Sequence, residues 1–326
     1  MKHGIVNSLE IPRFSGIQTF MRMENDTDLR DADFVVAGIP FDTCATYRAG
    51  ARFGPAAVRE MSSLAAKPYN PVLEVDIFGE CRGVDYGDLP TVPGYVEETF
   101  DKVHAQMRTL FESGAVPIVI GGDHSVTLPE LRACKDVHGE VALIHFDAHY
   151  DTIKEYFGKP YSHGTPFYHA AKEGLVDPSF SIQVGIREGL YGPEDAQNSA
   201  NLGYESIDAL TMHHMSAQEV IDRIKSRVGG KKVFLTFDID FLDPAFAPGT
   251  GTPVPGGFST WETLEILHGL KDLDVVGYDV VEVANAFDGS GITAIAAAGI
   301  IQEFMSHIAW RKSMEKIKDR IGEIRS

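Results

Sequence analysis

Val141-Ala142-Leu143-Ile144-His145-Phe146-Asp147-Ala148-His149-Tyr150-Asp151, residues 141–151, joins an apolar run to alternating acids and imidazoles. The run 141–146 reads as a fully buried strand, apolar on both faces. Asp147, His149 and Asp151 follow it at alternate positions, and side chains at i, i+2 and i+4 of an extended segment share a face. The three therefore converge on one centre. That centre has to be a cation, because carboxylates gathered without one cost several kcal/mol in repulsion and desolvation.

Working outward, the same construction recurs. Phe34-Val35-Val36-Ala37-Gly38-Ile39-Pro40 is a compact apolar run closed by Gly and Pro, and Val116 to Ile120 is another that ends in Gly121-Gly122-Asp123-His124-Ser125. Val84–Asp88, Ser181–Ile186, Val233–Phe237 and Val275–Val283 continue the series of strands. Between them lie helical stretches at Ala56–Ser63, opened by Pro55, and at Glu97–Ser113, Thr127–Cys134, Ser216–Val228, Thr260–Leu270 and Ile292–Lys318. Strand and helix alternate without a break in composition or an internal repeat. This predicts a single α/β domain, a three-layer α/β/α sandwich around a mostly parallel sheet, over residues 31–326. Residues 1–30 read as an irregular N-terminal arm lying on the surface or on a neighbouring subunit. In such sheets ligands bind beyond the carboxyl ends of the strands, where all the suspicious polar clusters fall.

At 326 residues and 44% apolar content the chain can bury a substantial core. Its formal charge of −18, from 29 basic and 47 acidic residues, argues against nucleic acid or an anionic membrane as partner and suits a cationic substrate or a metal. Cys44, Cys81 and Cys134 are scattered and odd in number, which fits a reducing compartment and buried thiols. The N-terminus lacks an apolar leader, and no run of about 18 apolar residues crosses the chain; a cytoplasmic protein is expected.

Asp238 and Asp240, in Thr236-Phe237-Asp238-Ile239-Asp240, repeat the i, i+2 pattern after another strand. An isolated Asp-x-Asp is far more often a turn or a helix cap than a ligand pair, but three such pieces after three buried strands point to a site. His124, Asp147, His149, Asp151, Asp238 and Asp240 amount to four carboxylates and two imidazoles. An oxygen-rich set with some nitrogen suits Mn²⁺, or Ni²⁺, Co²⁺ or Zn²⁺, and the lack of thiolates argues against structural zinc. Six ligands are too many for one catalytic ion with an open position, and four Asp charges balance two divalent ions. Such a pair lowers the pKa of a bridging water from about 15.7 toward neutrality and makes hydroxide for hydrolysis.

Gly-Gly-Asp-His-Ser (121–125), Asp-Ala-His-Tyr-Asp (147–151), Ser-His-Gly-Thr-Pro-Phe (162–167), Phe-Asp-Ile-Asp-Phe-Leu-Asp-Pro-Ala-Phe-Ala-Pro-Gly-Thr-Gly-Thr-Pro (237–253) and Val-Val-Glu-Val (280–283), in this order, resemble the ureohydrolase family. The agmatinase and guanidinobutyrase branch is closer than arginase, and the likeness runs from about Ile39 to the last helix. The resemblance implies an arginase-like fold and a binuclear manganese centre, nickel being the alternative, that hydrolyses a small cationic guanidino compound to urea and an amine by metal-bound hydroxide attack. It implies one ion on His124, Asp147, Asp151 and Asp238 and a second on Asp147, His149, Asp238 and Asp240, with Asp147 and Asp238 bridging. It further implies His163 as the proton-handling, substrate-contacting histidine and Glu282 as the carboxylate that pairs with the guanidinium, with Asp240 the third member of the catalytic set. A trimer or hexamer is implied too.

The residues themselves agree with these roles. A carboxylate takes a planar guanidinium in a paired, charge-assisted geometry, and a carboxylate such as Glu282 within an apolar strand is costly unless it has a partner. His138, His145, His169, His213 and His214 have no such support and read as structural or solvated. The loop 248–253 lacks the Lys-Ser/Thr of a phosphate cradle and reads as a pocket wall. Tyr150, Asn285 and Gly291 depart from the agmatinase pattern. Tyr150 and Asn285 are therefore candidate substrate contacts, able to move specificity toward guanidinobutyrate, guanidinopropionate, a methylguanidine or a biguanide such as metformin. Two other readings are a one-zinc deacylase on the same fold and a non-catalytic subunit paired with an active paralogue.

Overall fold

In the computed structural model, which describes residues 5–192 and 194–325, the chain is built on an eight-stranded sheet of order β4-β1-β5-β10-β9-β6-β7-β8. The strands are β1 (Phe34–Gly38), β4 (Gly83–Asp88), β5 (Val116–Ile120), β6 (Ala142–Phe146), β7 (Ile182–Ile186), β8 (Glu205–Asp208), β9 (Val233–Asp238) and β10 (Val275–Val281), while β2 (Tyr69–Asn70) and β3 (Val75–Asp76) form a separate small ribbon. Every neighbouring pair in the large sheet is parallel.

Alternate residues of each strand feed two apolar layers, as a sheet buried on both faces requires. Ile118 and Ile120, with Leu235, Phe237, Tyr278 and Val280, meet helices Gly54–Ala65, Ala217–Val228, Thr260–Gly269 and Ile292–Arg325. Val35, Val119, Leu143 and Phe234 face the other way, toward helices Val96–Glu112 and Thr127–His138. The predicted α/β/α sandwich is thus the observed fold. The amphipathic stripe Phe100, Val103, Met107, Leu110 and Phe111 is buried as its spacing predicts. Capping boxes at Ser216 with Glu219 and at Ser259 with Glu262 start two of the helices by satisfying otherwise orphaned backbone donors.

The last helix is apolar enough over Ile292–Arg320 to cross a membrane by length and composition, but 78% of its apolar window is buried inside the molecule. It is a core helix. Gly291, just before it, has φ 71°, a conformation that explains a glycine at this departure from the agmatinase pattern. Cys44, Cys81 and Cys134 are unpaired and buried, and burial pushes the Cys81 and Cys134 thiols up to about 12.

Of the predicted N-terminal arm, residues 1–4 lie outside the described residues, residues 6–18 are mostly exposed as an arm on the surface would be, and residues 19–23 are tied down more firmly. Phe20 and Met21 are fully buried, and the Arg22 guanidinium donates to the carbonyls of Ile11 and Ser15. The Phe20 N–H donates to Asp85, whose carboxylate also pairs with buried Arg59. Leu9, Phe14 and Ile17 remain exposed.

Two strand ends differ from the sequence expectation. β6 stops at Phe146, so Asp147, His149 and Asp151 lie on the loop beyond it rather than on an extended segment. β10 stops at Val281, because Glu282 turns into the left-handed region at φ 64°. The edge strand β8 and the short helices Pro166–Lys172, Asp195–Leu202 and Ala209–His213 escaped the sequence reading. β8 carries a single apolar residue, Ile207, between polar neighbours and so gives no strand-like pattern.

Candidate metal centre

β5, β10, β9 and β6 are consecutive in the sheet, and their carboxyl ends deliver His124, Glu282, Asp238 and the 147–151 loop to one place. Gly122 makes this possible: a Cβ there would stand 1.7 Å from the Phe41 carbonyl oxygen, and its own carbonyl accepts the Glu282 N–H at 2.8 Å.

The two Asp-x-(His/Asp) pieces are turns and donor pairs at once. One oxygen of Asp147 accepts the His149 N–H at 2.6 Å, and one oxygen of Asp238 accepts the Asp240 N–H at 2.8 Å. These are Asx turns. The second oxygen of each is left to face His124 Nδ1, at 3.1 Å from Asp147 and 3.3 Å from Asp238, with Asp151 at 3.0 Å. His149 Nδ1 lies 3.2 Å from Asp147 and 3.1 Å from Asp240. All six residues predicted as ligands are therefore brought together, in two imidazole-centred groups that share Asp147. Asp151 reaches its place at φ 51°, a strained conformation for a residue with a Cβ.

The residues present fit a pair of divalent cations. His124 Nδ1 is fully buried and makes no hydrogen bond although three carboxylates face it, while its Nε2 is held by Thr236 Oγ1 at 2.9 Å. One ring nitrogen fixed and the other presented bare is the arrangement of a metal-bound imidazole. The crowding of buried carboxylates also suits a cation. Burial pushes the Asp238 carboxyl well above the usual range, with Asp240 and Asp147 adding to it. Burial opposes ionisation of Asp147 as well, but His145, His124 and His149 outweigh it and hold that carboxyl well below its ordinary value.

His145 was set aside in the sequence as structural or solvated, yet it sits directly beneath the cluster. Its Nε2 is 2.7 Å from the Asp147 oxygen that also faces His124, and its Nδ1 is 2.9 Å from Gln183 Nε2. It holds the shared carboxylate from behind. Replacing it by Phe (His145→Phe) is expected to weaken metal binding about 10- to 100-fold with little change in fold, read by metal titration with circular dichroism as control. Unchanged affinity would show that Asp147 is positioned without it.

Glu282 and His163 form a pair: His163 Nδ1 is 3.0 Å from a Glu282 oxygen that also accepts the His124 N–H at 2.9 Å. Thr46 holds the other ring nitrogen, its Oγ1 at 2.7 Å and its N–H at 3.2 Å. Burial opposes protonation of His163, but the Glu282 carboxylate prevails and pushes it up to about 9. Asp123, in the sequence only a motif member, ties this corner together by accepting N–H bonds from Cys44 at 2.8 Å and Ser125 at 3.0 Å. The Cys44 carbonyl in turn accepts the His163 N–H.

Over the cluster lies a cavity of about 230 Å³ lined by His149, Asp151, Asp238 and His163, by Ile153, Tyr156 and Gly164, by Glu188 to Gly189 and Tyr191, and by Thr46, Thr252 and Val254. Thr252 belongs to the loop 248–253, which thus does serve as a wall. Tyr150 and Asn285 are not brought to this cavity. The Tyr150 ring lines a narrow neighbouring cleft, because only its backbone faces the site, donating its N–H to Glu188 at 2.8 Å and accepting from Gln183 at 2.7 Å. Asn285 is exposed on the 3₁₀ turn Asn285–Phe287, since the left-handed Glu282 sends the chain away from the cluster. Glu188, unnoticed in the sequence, stands in the cavity, and burial pushes its carboxyl up to about 7.

A parallel α/β/α sheet with two His-Asp donor groups gathered from the ends of β5, β9 and β6 defines a metal-centred hydrolase of the ureohydrolase kind. An Arginase family model matches residues 32–307, and the chain belongs to that family. It is 46% identical to the agmatinase of Shigella dysenteriae serotype 1 (strain Sd197) over 284 residues, 87% of this chain and 90% of that one. Among solved structures it resembles a hypothetical agmatinase from Burkholderia thailandensis (41% identity, TM-score 0.85, 92% of this chain and 93% of the other). It also resembles proclavaminate amidino hydrolase from Streptomyces clavuligerus (39% identity, TM-score 0.88, 92% and 99%).

Proposed function

We propose that this protein is a binuclear-metal ureohydrolase that cleaves an agmatine-like guanidino compound to urea and an amine. The observation that carries the proposal is the bare, buried His124 Nδ1 among three carboxylates, beside a cavity lined by His163, whose Nδ1 is paired with buried Glu282. His124, Asp147, Asp151 and Asp238 would hold one divalent ion, and Asp147, His149, Asp238 and Asp240 the other. When bound, such a pair balances the four Asp charges and acidifies a water to serve as nucleophile. Donors of oxygen and imidazole suit Mn²⁺ first and Ni²⁺ second.

The protein's own residues supply the rest. Glu282 pairs with the planar guanidinium and fixes its carbon over the cluster. His163, spanned between Glu282 and Thr46, is placed to protonate the departing nitrogen, so that the C–N bond breaks to a neutral amine. Thr46 and Thr252 close the wall and limit entry of bulk water. We take the chain to work in the cytoplasm, away from nucleic acid and membranes, as a homo-oligomer, a trimer or hexamer. The exposed Leu9, Phe14 and Ile17 support a contact with another copy.

Incubating Mn²⁺- or Ni²⁺-loaded protein with agmatine, guanidinobutyrate, guanidinopropionate, methylguanidines and biguanides tests the reading. Urea from agmatine is the expected result, and no C–N cleavage product from any of them would sink it.

A further inference from the structure

Glu188 is a carboxylate to which the mechanism gives no task. Its Oε1 accepts the Tyr150 N–H, and the groups that act on it electrostatically are His149, Asp151 and Asp147, with no Lys or Arg among them. Its chain neighbour Arg187 is unavailable, because that guanidinium is spent on backbone carbonyls, with Asp240 at 2.6 Å and Val254 at 2.9 Å. Among the described residues that line the cavity there is no Lys or Arg at all; Lys159 lines an adjoining cleft that shares Thr46 and Tyr156 with it.

With two divalent ions the four Asp charges are balanced, and Glu282 is matched by His163 and the guanidinium. Glu188 then remains as the one carboxylate of the cavity without a positive partner among the described residues. Position matters too. Glu282 follows β10 and Glu188 follows β7, three places along the sheet order β10-β9-β6-β7. Strand ends about 4.8 Å apart put these two about 14 Å from each other. Glu188 lines the cavity and Glu282 lies buried behind His163, which also lines it, so the two strand ends leave room between them for a short extended carbon chain. Tyr156 and Tyr191 line the same cavity, and aromatic faces beside a carboxylate receive an alkylammonium well.

We propose that Glu188 selects the second charge of the substrate: it receives a terminal ammonium, so that the enzyme prefers an aminoalkylguanidine to a guanidino acid of similar length. This rests on the ureohydrolase reading. A terminal carboxylate in the same place would meet Glu188 and Asp151 with no lining cation to offset them, whereas an ammonium pairs with an otherwise uncompensated charge.

The test uses the metal-loaded full chain and three substrates: agmatine, pentylguanidine, in which a methyl replaces the ammonium, and 4-guanidinobutyrate. In the native enzyme kcat/KM follows the order agmatine, pentylguanidine, guanidinobutyrate. Glu188→Gln keeps an acceptor for the Tyr150 N–H but removes the charge, and lowers the agmatine-to-pentylguanidine ratio about 30-fold, carried by KM. Glu188→Lys inverts the preference between agmatine and guanidinobutyrate. A residue that merely supports the Tyr150 loop would lower all substrates together and leave the ratio where it was, and that result overturns the proposal. So does a native preference for guanidinobutyrate, although urea release would then still uphold the ureohydrolase reading. No urea from any guanidine would overturn that reading and this inference with it.

Discussion

Asp238→Asn is expected to reduce urea release about 1,000-fold, which corresponds to losing the several kcal/mol a catalytic metal contributes. The substitution is chosen because it separates the two jobs of the side chain. An amide oxygen still accepts the Asp240 N–H, as the Asp238 carboxylate does at 2.8 Å, so the turn at the end of β9 persists. What disappears is the charge that faces His124 Nδ1 at 3.3 Å. The stability effect should have opposite signs with and without metal. In chelated protein the variant melts higher than the native chain, since burial and the neighbouring acids press against ionised Asp238. In saturating Mn²⁺ it melts lower. A ligand at a hundred times its Kd stabilises by about 2.7 kcal/mol, and a site that has lost a shared carboxylate forfeits most of that. Melting curves with Mn²⁺ and with EDTA, together with metal content, decide the matter. If the variant keeps activity within about tenfold and the native metal-induced shift, Asp238 is no ligand.

That both readings of Asp-x-Asp hold at the same residue explains why the site was legible from sequence while its geometry was not. The chemistry follows from residue type: acids and imidazoles after buried strands have few other uses. The strand-face argument reached the right residues for an incomplete reason, because Asp147 and Asp238 gather the cluster through Asx turns and Asp151 through a left-handed backbone. Neither leaves a period in the sequence. The sandwich was legible since most of the strands are largely apolar runs that alternate with helical stretches, whereas strand order, which makes β5, β10, β9 and β6 neighbours, is set by crossovers that local pattern does not encode. Tyr150 drew notice as a departure from related sequences, but a loop residue between two inward neighbours turns its ring outward and offers only its backbone. The side chain that backbone holds, Glu188, comes 38 residues later after β7, where nothing local marks it. His145 was missed for a similar reason: it belongs to an apolar strand and gains meaning only once Asp147 folds back over it.

Glu282→Gln and His163→Asn test whether the carboxylate–histidine pair acts as a unit. Each alone is expected to lower kcat/KM about 100- to 10,000-fold, the range of a general acid and its positioning partner. The two together should cost little more than the worse single change, because groups that work through one another are strongly non-additive. Gln is the informative replacement at 282. It still accepts from the His124 N–H, so the turn after β5 is kept, but it removes the charge that lies 3.0 Å from His163 Nδ1. That charge is what overcomes burial and pushes His163 up to about 9. Without it only the more distant charges of Asp151 and Asp123 still oppose burial, and the imidazole loses its proton at lower pH than in the native protein. A step that needs protonated His163 is supported up to about pH 9 in the native enzyme and is lost as pH rises through that value. In Glu282→Gln the same alkaline limb of kcat moves to lower pH, so the variant retains most activity in acid and least near pH 9. A pH profile measured at saturating metal reads the shift directly. Additive losses with an unmoved alkaline limb would mean that Glu282 binds substrate without governing the proton on His163, and the pair would have to be described as two separate contacts.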